Sequence, residues 1–280
     1  LRSYWPARVP ARAYSSPNPQ ELEAELASRA TRSAAVPFRL RPLKPASDEA
    51  VALGGLWTTV VDLALATLAA AACVNLWAPP QDLPWKPFRL DRPPGLATGV
   101  QLARAAADPA LCRAALRDGG VDYIEEPDRV RGGCATGNTL RLEGQRLSPA
   151  APVATCPLSL AYAWWLRHEV QPAAQELLGT RIARVEHYGT YACRNVYGRA
   201  EGRRSEHAFA NALDVAAFRT DGGRRISVLG DFRGEDAEGR FLRRVRSAAC
   251  GPFRTVLSPD YNAAHADHLH LDYGRFSICR

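Results

Sequence analysis

Between Leu53 and Pro80 the chain reads LGGLWTTVVDLALATLAAAACVNLWAPP, a run whose single charge is Asp62. It is long enough to cross a bilayer, which takes ~20 apolar residues, so a transmembrane helix or signal anchor is expected over residues 51–78. Trp57 and Trp77 sit near its ends, where amphipathic rings favour the membrane interface. Arg39, Arg41 and Lys44 precede it, and the positive-inside rule then leaves the N-terminus in the cytoplasm and the remainder outside. Asp62 is costly in mid-bilayer unless it lies close enough to the cytoplasmic end to reach water. Two other readings use the same letters. TLAAAAC has the small residues of a signal-peptide cleavage region, with Cys73 as a lipidation candidate, and a run of this kind also suits a buried core helix. The expected location is an inner-membrane anchor with a periplasmic C-terminal domain, or export after signal cleavage.

The cysteines agree with that compartment. Besides Cys73 there are six, at Cys112, Cys134, Cys156, Cys193, Cys250 and Cys279. None forms a Cys-x-x-Cys pair, which argues against a cysteine-based zinc site. Six spread cysteines in under 200 residues read as three disulfides formed in an oxidising compartment; the alternative is reduced, buried thiols. Of fifteen possible pairings, the expected one is Cys112–Cys134, Cys193–Cys250 and Cys156–Cys279.

Charge says less. The formal net charge of +7 comes almost wholly from arginine, with lysine only at positions 44 and 86. The arginines are interspersed with acids, as in FRGEDAEGRFLRRVR. No helix-turn-helix, zinc-finger or RNA-binding signature accompanies them, so no nucleic-acid partner is expected.

Residues 1–50 are polar and rich in Pro and Arg, which predicts weak order with one helix near Gln20–Ala30. Residues 79–97 are Pro-rich and are expected to act as a linker, because proline stiffens the chain and lacks an amide proton. Residues 98–280 read as one α+β domain, a small antiparallel sheet with flanking helices. Thr98 and Asp108 are expected N-caps of two short helices. VDYIEE, NTLRLEG and RIARVEHYG read as strands, and residues 157–178 as a long central helix. ANALDVAAFRT and RRISVLG read as a hairpin around Asp-Gly-Gly, EGRFLRRVRSAAC as a helix and HADHLHLDYG as the last strand.

Four of the six histidines fall in two clusters, SEHAFANALD around His207 and HADHLHLD around His265, His268 and His270. Residues two apart on a strand share a face, so His268 and His270 would present two imidazoles side by side, which is odd for a core and natural for a metal. His207 and Asp214 add donors that zinc accepts. Two histidines and one carboxylate leave a fourth position open, the catalytic rather than the structural pattern. A solvated His-rich edge strand is the bland alternative. His168 and His187 are single histidines in a helix and a strand, read as structural or surface.

SEHAFANALD resembles the Ser-x-His-x-x-Gly-x-Ala-x-Asp motif of zinc D-alanyl-D-alanine peptidases, in the superfamily shared with lysostaphin-type enzymes and the hedgehog signalling domain. The spacing of His265, His268 and His270 is similar to that of penicillin-insensitive murein endopeptidases. The stretch 83–280 resembles the bacterial extensin-like C-terminal domain family, most closely in DLPWKPFRL, TCPLSLAYAWWLRH, YACRNVYGR, SEHAFANALD and YNAAHADHLHLD. This resemblance implies a zinc-peptidase core with Zn2+ held by His207, Asp214 and His270. His268 is the expected general base, since imidazole titrates in the useful range, with His265 sharing or orienting that role and Asp267 and Asp272 fixing imidazole tautomers. Arg194 would face an oxyanion or a substrate carboxylate, with Ser205 and Tyr191 as substrate-binding candidates. The expected activity is hydrolysis of peptide bonds in peptidoglycan, endopeptidase rather than carboxypeptidase; a non-catalytic, zinc-containing wall-binding module is the rival. One departure stands out: Ala210 occupies the motif's Gly position, where glycine permits unusual torsions.

Overall fold

The computed structural model describes residues 48–280, with side chains from 56 onward, and the isolated positions 18, 20, 23, 24 and 27. Gln20, Glu23, Ala24 and Ala27 are helical; the rest of the helix expected at Gln20–Ala30, and the weak order expected for residues 1–50, lie outside the described residues. The chain divides into two compact units, Leu1–Leu65 and Ala66–Arg280.

Helix α1, Asp48–Trp77, crosses that boundary. Leu56–Trp77 is apolar and long enough to span a membrane, and none of it is buried. A core helix would be covered, so the buried-helix reading fails; a membrane anchor or a signal segment remains.

The segment 79–97 is more than a spacer. Phe88 and Leu90 belong to the hydrophobic core, Leu90 fully buried. Gln101 Nε2 donates to the carbonyls of Pro80 and Leu83. The prolines interrupt regular structure, but the apolar residues between them still find the core. Helix α2 follows, Thr98–Ala107. Its N-cap is Ala97 rather than the expected Thr98, whose hydroxyl accepts from Gly95 N instead. Helix α3, Pro109–Asp118, is capped as expected, Asp108 accepting from Ala110 N and Leu111 N.

Strands β1 (Tyr123–Glu126), β2 (Arg129–Arg131), β3 (Cys134–Thr136), β4 (Thr139–Leu142), β5 (Leu147–Ser148) and β6 (Val153–Thr155) come next. They build an antiparallel sheet in the order β1-β4-β6 and the small hairpin β2–β3. Helix α4, Cys156–Trp165, starts from Thr155, whose Oγ1 accepts from Leu158 N. Its residues 158–165 are all buried, as a central helix requires. A π turn, Leu166–Val170, joins it to α5, Gln171–Leu178. Pro172 explains the widening: it has no N–H for the His168 carbonyl and its ring crowds that turn. Gly179, left-handed at φ 67°, ends the helix.

The main sheet has seven strands. It contains β5, β7 (Ile182–His187), β8 (Ala212–Thr220), β9 (Arg225–Ser227), β10 (Thr255–Leu257), β11 (Leu269–Asp272) and β12 (Ile278–Cys279), in the order β12-β10-β11-β8-β7-β5 with β9 beside β8. It is larger than expected and not wholly antiparallel, since β10–β12 and β5–β7 run parallel. The expected last strand is also not the last, because β12 follows it. Strand β8 is central: β7 lines one edge, while β11 and then β9 share the other. Helices α6 (Val228–Asp231) and α7 (Ala237–Ala249) follow the hairpin. Trp165 ties these layers together, donating to the Val245 carbonyl at 2.9 Å and packing against Phe218 and Phe253.

Three disulfides form, but not with the expected partners. They are Cys112–Cys156, Cys134–Cys193 and Cys250–Cys279. The first staples α3 to α4, the second ties the β3 hairpin to the loop before His207, and the third joins the end of α7 to β12. Among the described residues the one free cysteine is Cys73.

Candidate functional site

The SEHAFANALD stretch becomes a turn feeding a strand. Ser205 caps a 3-10 turn over Glu206–Phe209, its hydroxyl accepting from His207 N. Ala210 closes the turn at φ 54°, ψ 32°, fully buried. Its carbonyl accepts from Thr155 N, which pins the turn to the start of α4. The chain then enters β8, where Asp214 pairs directly opposite His270 of β11. Directly opposed residues project to the same sheet face, and the turn brings His207 onto it.

The three side chains meet. His207 Nε2 lies 3.3 Å from His270 Nδ1 and 3.1 Å from Asp214 Oδ2, and His270 Nδ1 lies 2.8 Å from Asp214 Oδ1. Their donor atoms all fall within 4.8 Å of one another, so this trio could hold a metal ion. Each imidazole is fixed from behind. His207 Nδ1 meets the Thr190 carbonyl at 3.2 Å, and His270 Nε2 meets Asp272 Oδ2 at 3.1 Å. A carbonyl only accepts, so Nδ1 of His207 carries a proton.

His268 precedes β11 rather than lying on it, yet its Nε2 reaches within 3.5 Å of Asp214 Oδ1. Its Nδ1 is held by Asp267 at 2.8 Å. His265 sits on a separate short 3-10 turn, its Nδ1 bonded to Asn262 Oδ1 at 2.7 Å. Its ring centroid is 5.2 Å from that of His268 and 5.8 Å from that of His270. Five side chains, His207, Asp214, His265, His268 and His270, thus converge.

Charge follows from this packing. Burial opposes a charged His270, but hydrogen bonds to Asp214 and Asp272 overcome it and raise the imidazolium to about 9. Burial likewise opposes the Asp214 carboxylate, yet the bonds from His207 and His270 hold its pKa well below the usual range. Burial, reinforced by the neighbouring His270 and His268, depresses His265 to about 4, so that ring is neutral near pH 7.

A cavity of about 520 Å³ opens over the cluster. Arg194, Ser205, His207, Asp214, His265, His268 and His270 line it. Tyr191, expected to bind substrate, does not line it; its side chain is exposed. His168 and His187 stay outside the site, bonded to the Leu90 and Pro149 carbonyls. Sequence reading missed Thr190 and Asn262, which orient imidazoles, and Arg203 and Arg275, which line the cavity. Thr190 acts through its backbone carbonyl and leaves no signal in residue type.

No curated protein and no solved structure matches the chain. Residues 110–280, more than half of the chain, match the family model described as "Extensin-like protein C-terminus"; the chain belongs to this extensin-like C-terminal family.

Proposed function

We propose that the chain is a zinc-dependent hydrolase of peptidoglycan peptide bonds, an endopeptidase rather than a carboxypeptidase, anchored in the inner membrane with its C-terminal domain in the periplasm. One observation carries the reading: His207, Asp214 and His270 converge beneath an open cavity beside two further histidines. The donor set fits zinc. Zinc–nitrogen bonds of ~2.0–2.1 Å in a tetrahedron separate neighbouring donor atoms by about 3.3 Å, close to the 2.8–3.3 Å contacts here. The backing bonds from Thr190 and Asp272 are the kind that orient metal-binding imidazoles. A fourth position left to water is the catalytic pattern.

Zinc, when bound, supplies Lewis-acid activation of water and of the scissile carbonyl. His268 is placed to take the water's proton: Asp267 holds Nδ1–H and leaves Nε2 facing the cavity. It later returns that proton to the leaving amine. His265, tethered to Asn262, positions His268 by ring packing. Arg194, on the cavity wall, offers a guanidinium to the developing oxyanion or a nearby carboxylate.

The test is digestion of cross-linked muropeptide dimers by the full chain with zinc. Conversion to monomers without loss of terminal D-Ala is expected, and release of that terminal residue would mean a carboxypeptidase. His268→Ala should keep stoichiometric zinc and lose ~10²–10⁴-fold in rate, whereas His207→Ala and His270→Ala should lose the metal. Bound zinc and an intact fold without any cleavage would replace this reading with a wall-binding module.

A further inference from the structure

The cavity walls carry more cation than the hydrolytic reading uses. Arg203 and Arg275 line the same cavity as Arg194, and all three are exposed. Among the described residues no carboxylate forms an ion pair with any of them. The acids that line the cavity are turned elsewhere. Asp214 accepts from His207 and His270, Asp272 from His270 and Gly274 N, and Glu206 from Asn211. Negative charge is therefore committed to the floor, and positive charge is left free on the rim.

Arg203 is also held in place. Its guanidinium lies 4.7 Å from the Phe276 ring centroid, a cation–π contact that restrains a long side chain without neutralising it. The neighbouring Arg204 behaves differently: it donates to the Gly132 carbonyl and does not line the cavity. Arg275 and Phe276, neighbours in the chain, both line this cavity.

We propose that Arg203 and Arg275 form a carboxylate-binding rim that selects acidic peptides, those with free carboxylates near the cleaved bond. A guanidinium fork matches a carboxylate with two parallel hydrogen bonds, and three uncompensated arginines around one cavity favour a ligand with more than one such group. The rim rests on the hydrolase reading only in taking this cavity as the substrate site. Both residues act on substrate choice and not on the chemical step.

The experiment measures binding and turnover separately, on the full 280-residue chain and on R203Q/R275Q. Each protein is titrated calorimetrically without zinc, and assayed for turnover with zinc, on a cross-linked muropeptide dimer and on the same dimer after amidation of its carboxylates. Wild type should bind the acidic peptide about tenfold or more tightly over the amide. The double variant should shrink that preference to about threefold or less, with an unchanged thermal midpoint because both side chains are exposed. Equal affinity for the two peptides in wild type, a preference that survives in R203Q/R275Q, or no binding of the acidic peptide would each overturn the rim. A wild-type preference that R203Q/R275Q loses, without any hydrolysis, would sink the hydrolase reading and leave the rim standing. Hydrolysis of both peptides at equal kcat/KM in both proteins would do the reverse.

Discussion

Ala210 shows how one residue can be misjudged from its letter. The motif's glycine permits unusual torsions that an alanine would be expected to avoid. Instead Ala210 takes the left-handed torsions a glycine would take, at φ 54°, with its methyl fully buried. An L-residue there costs about 1–2 kcal/mol. Ala210→Gly relieves that strain but loses a buried methyl and frees the unfolded chain, so its stability should stay within about 1 kcal/mol of wild type. Ala210→Val adds a β-branch to the same torsions in a closed site and should cost at least ~2 kcal/mol. Denaturant midpoints of the two variants test this, and similar midpoints would refute it. His168 makes a second prediction. Burial pushes its pKa below the ordinary value of 6.5, against the opposing pull of its bond to Leu90 O. The unfolded chain therefore binds a proton that the folded chain refuses once pH falls below about 6.5. Stability from this residue is present above that pH and declines as pH drops toward the lowered folded value. His168→Asn should flatten the fall in thermal midpoint between pH 7 and pH 5; an unchanged slope would show that His168 is not its source.

At the scale of elements, the disulfides decide what is held. Cys112–Cys156 closes 44 residues, Cys134–Cys193 closes 59 and Cys250–Cys279 closes 29. Each is expected to contribute ~2–4 kcal/mol, mainly by restricting the unfolded chain. Cys134–Cys193 should have a second effect, because Cys193 directly precedes Arg194 and its partner sits in a hairpin with little core of its own. Cys134→Ser/Cys193→Ser should lower the unfolding midpoint and also reduce peptide cleavage at a temperature where the fold is intact. Cys250→Ser/Cys279→Ser should lower the midpoint with a smaller effect on cleavage. Equal losses of cleavage in the two pairs would show that the first disulfide does not position the Arg194 loop. The expected pairing failed for a physical reason: a bridge needs Cα atoms within about 7 Å. Those distances depend on how α3 meets α4 and how the β2–β3 hairpin meets the loop near residue 190, and neither is local.

For the whole molecule the decisive feature is the uncovered helix Leu56–Trp77. A periplasm-active reporter fused after residue 100 should be active in cells, and a cytoplasm-only reporter at the same place should be silent. The opposite pattern would overturn the proposed periplasmic placement of the C-terminal domain. The Pro-rich segment that follows shows how composition can mislead. Its prolines read as a stiff linker, yet Phe88 and Leu90 are core residues, so truncating the chain at residue 97 would strip apolar contacts from the folded domain.

The sequence by itself determined the elements and the donor types. The Asp-Gly-Gly turn, the Asp108 cap and the apolar run of α4 are local consequences of composition and turn chemistry. The grouping of His207 with Asp214 and of His265 with His268 and His270 was also legible, since a turn and a strand end place near neighbours together. Tertiary structure alone decided that the two groups meet, because Asp214 and His270 are 56 residues apart in sequence and only the pairing of β8 with β11 sets them opposite each other. It alone turned Tyr191 outward, brought Arg203 and Arg275 to one cavity, and chose Thr190 and Asn262 as supports. These are facts of long-range register and backbone position, and residue type carries no record of them.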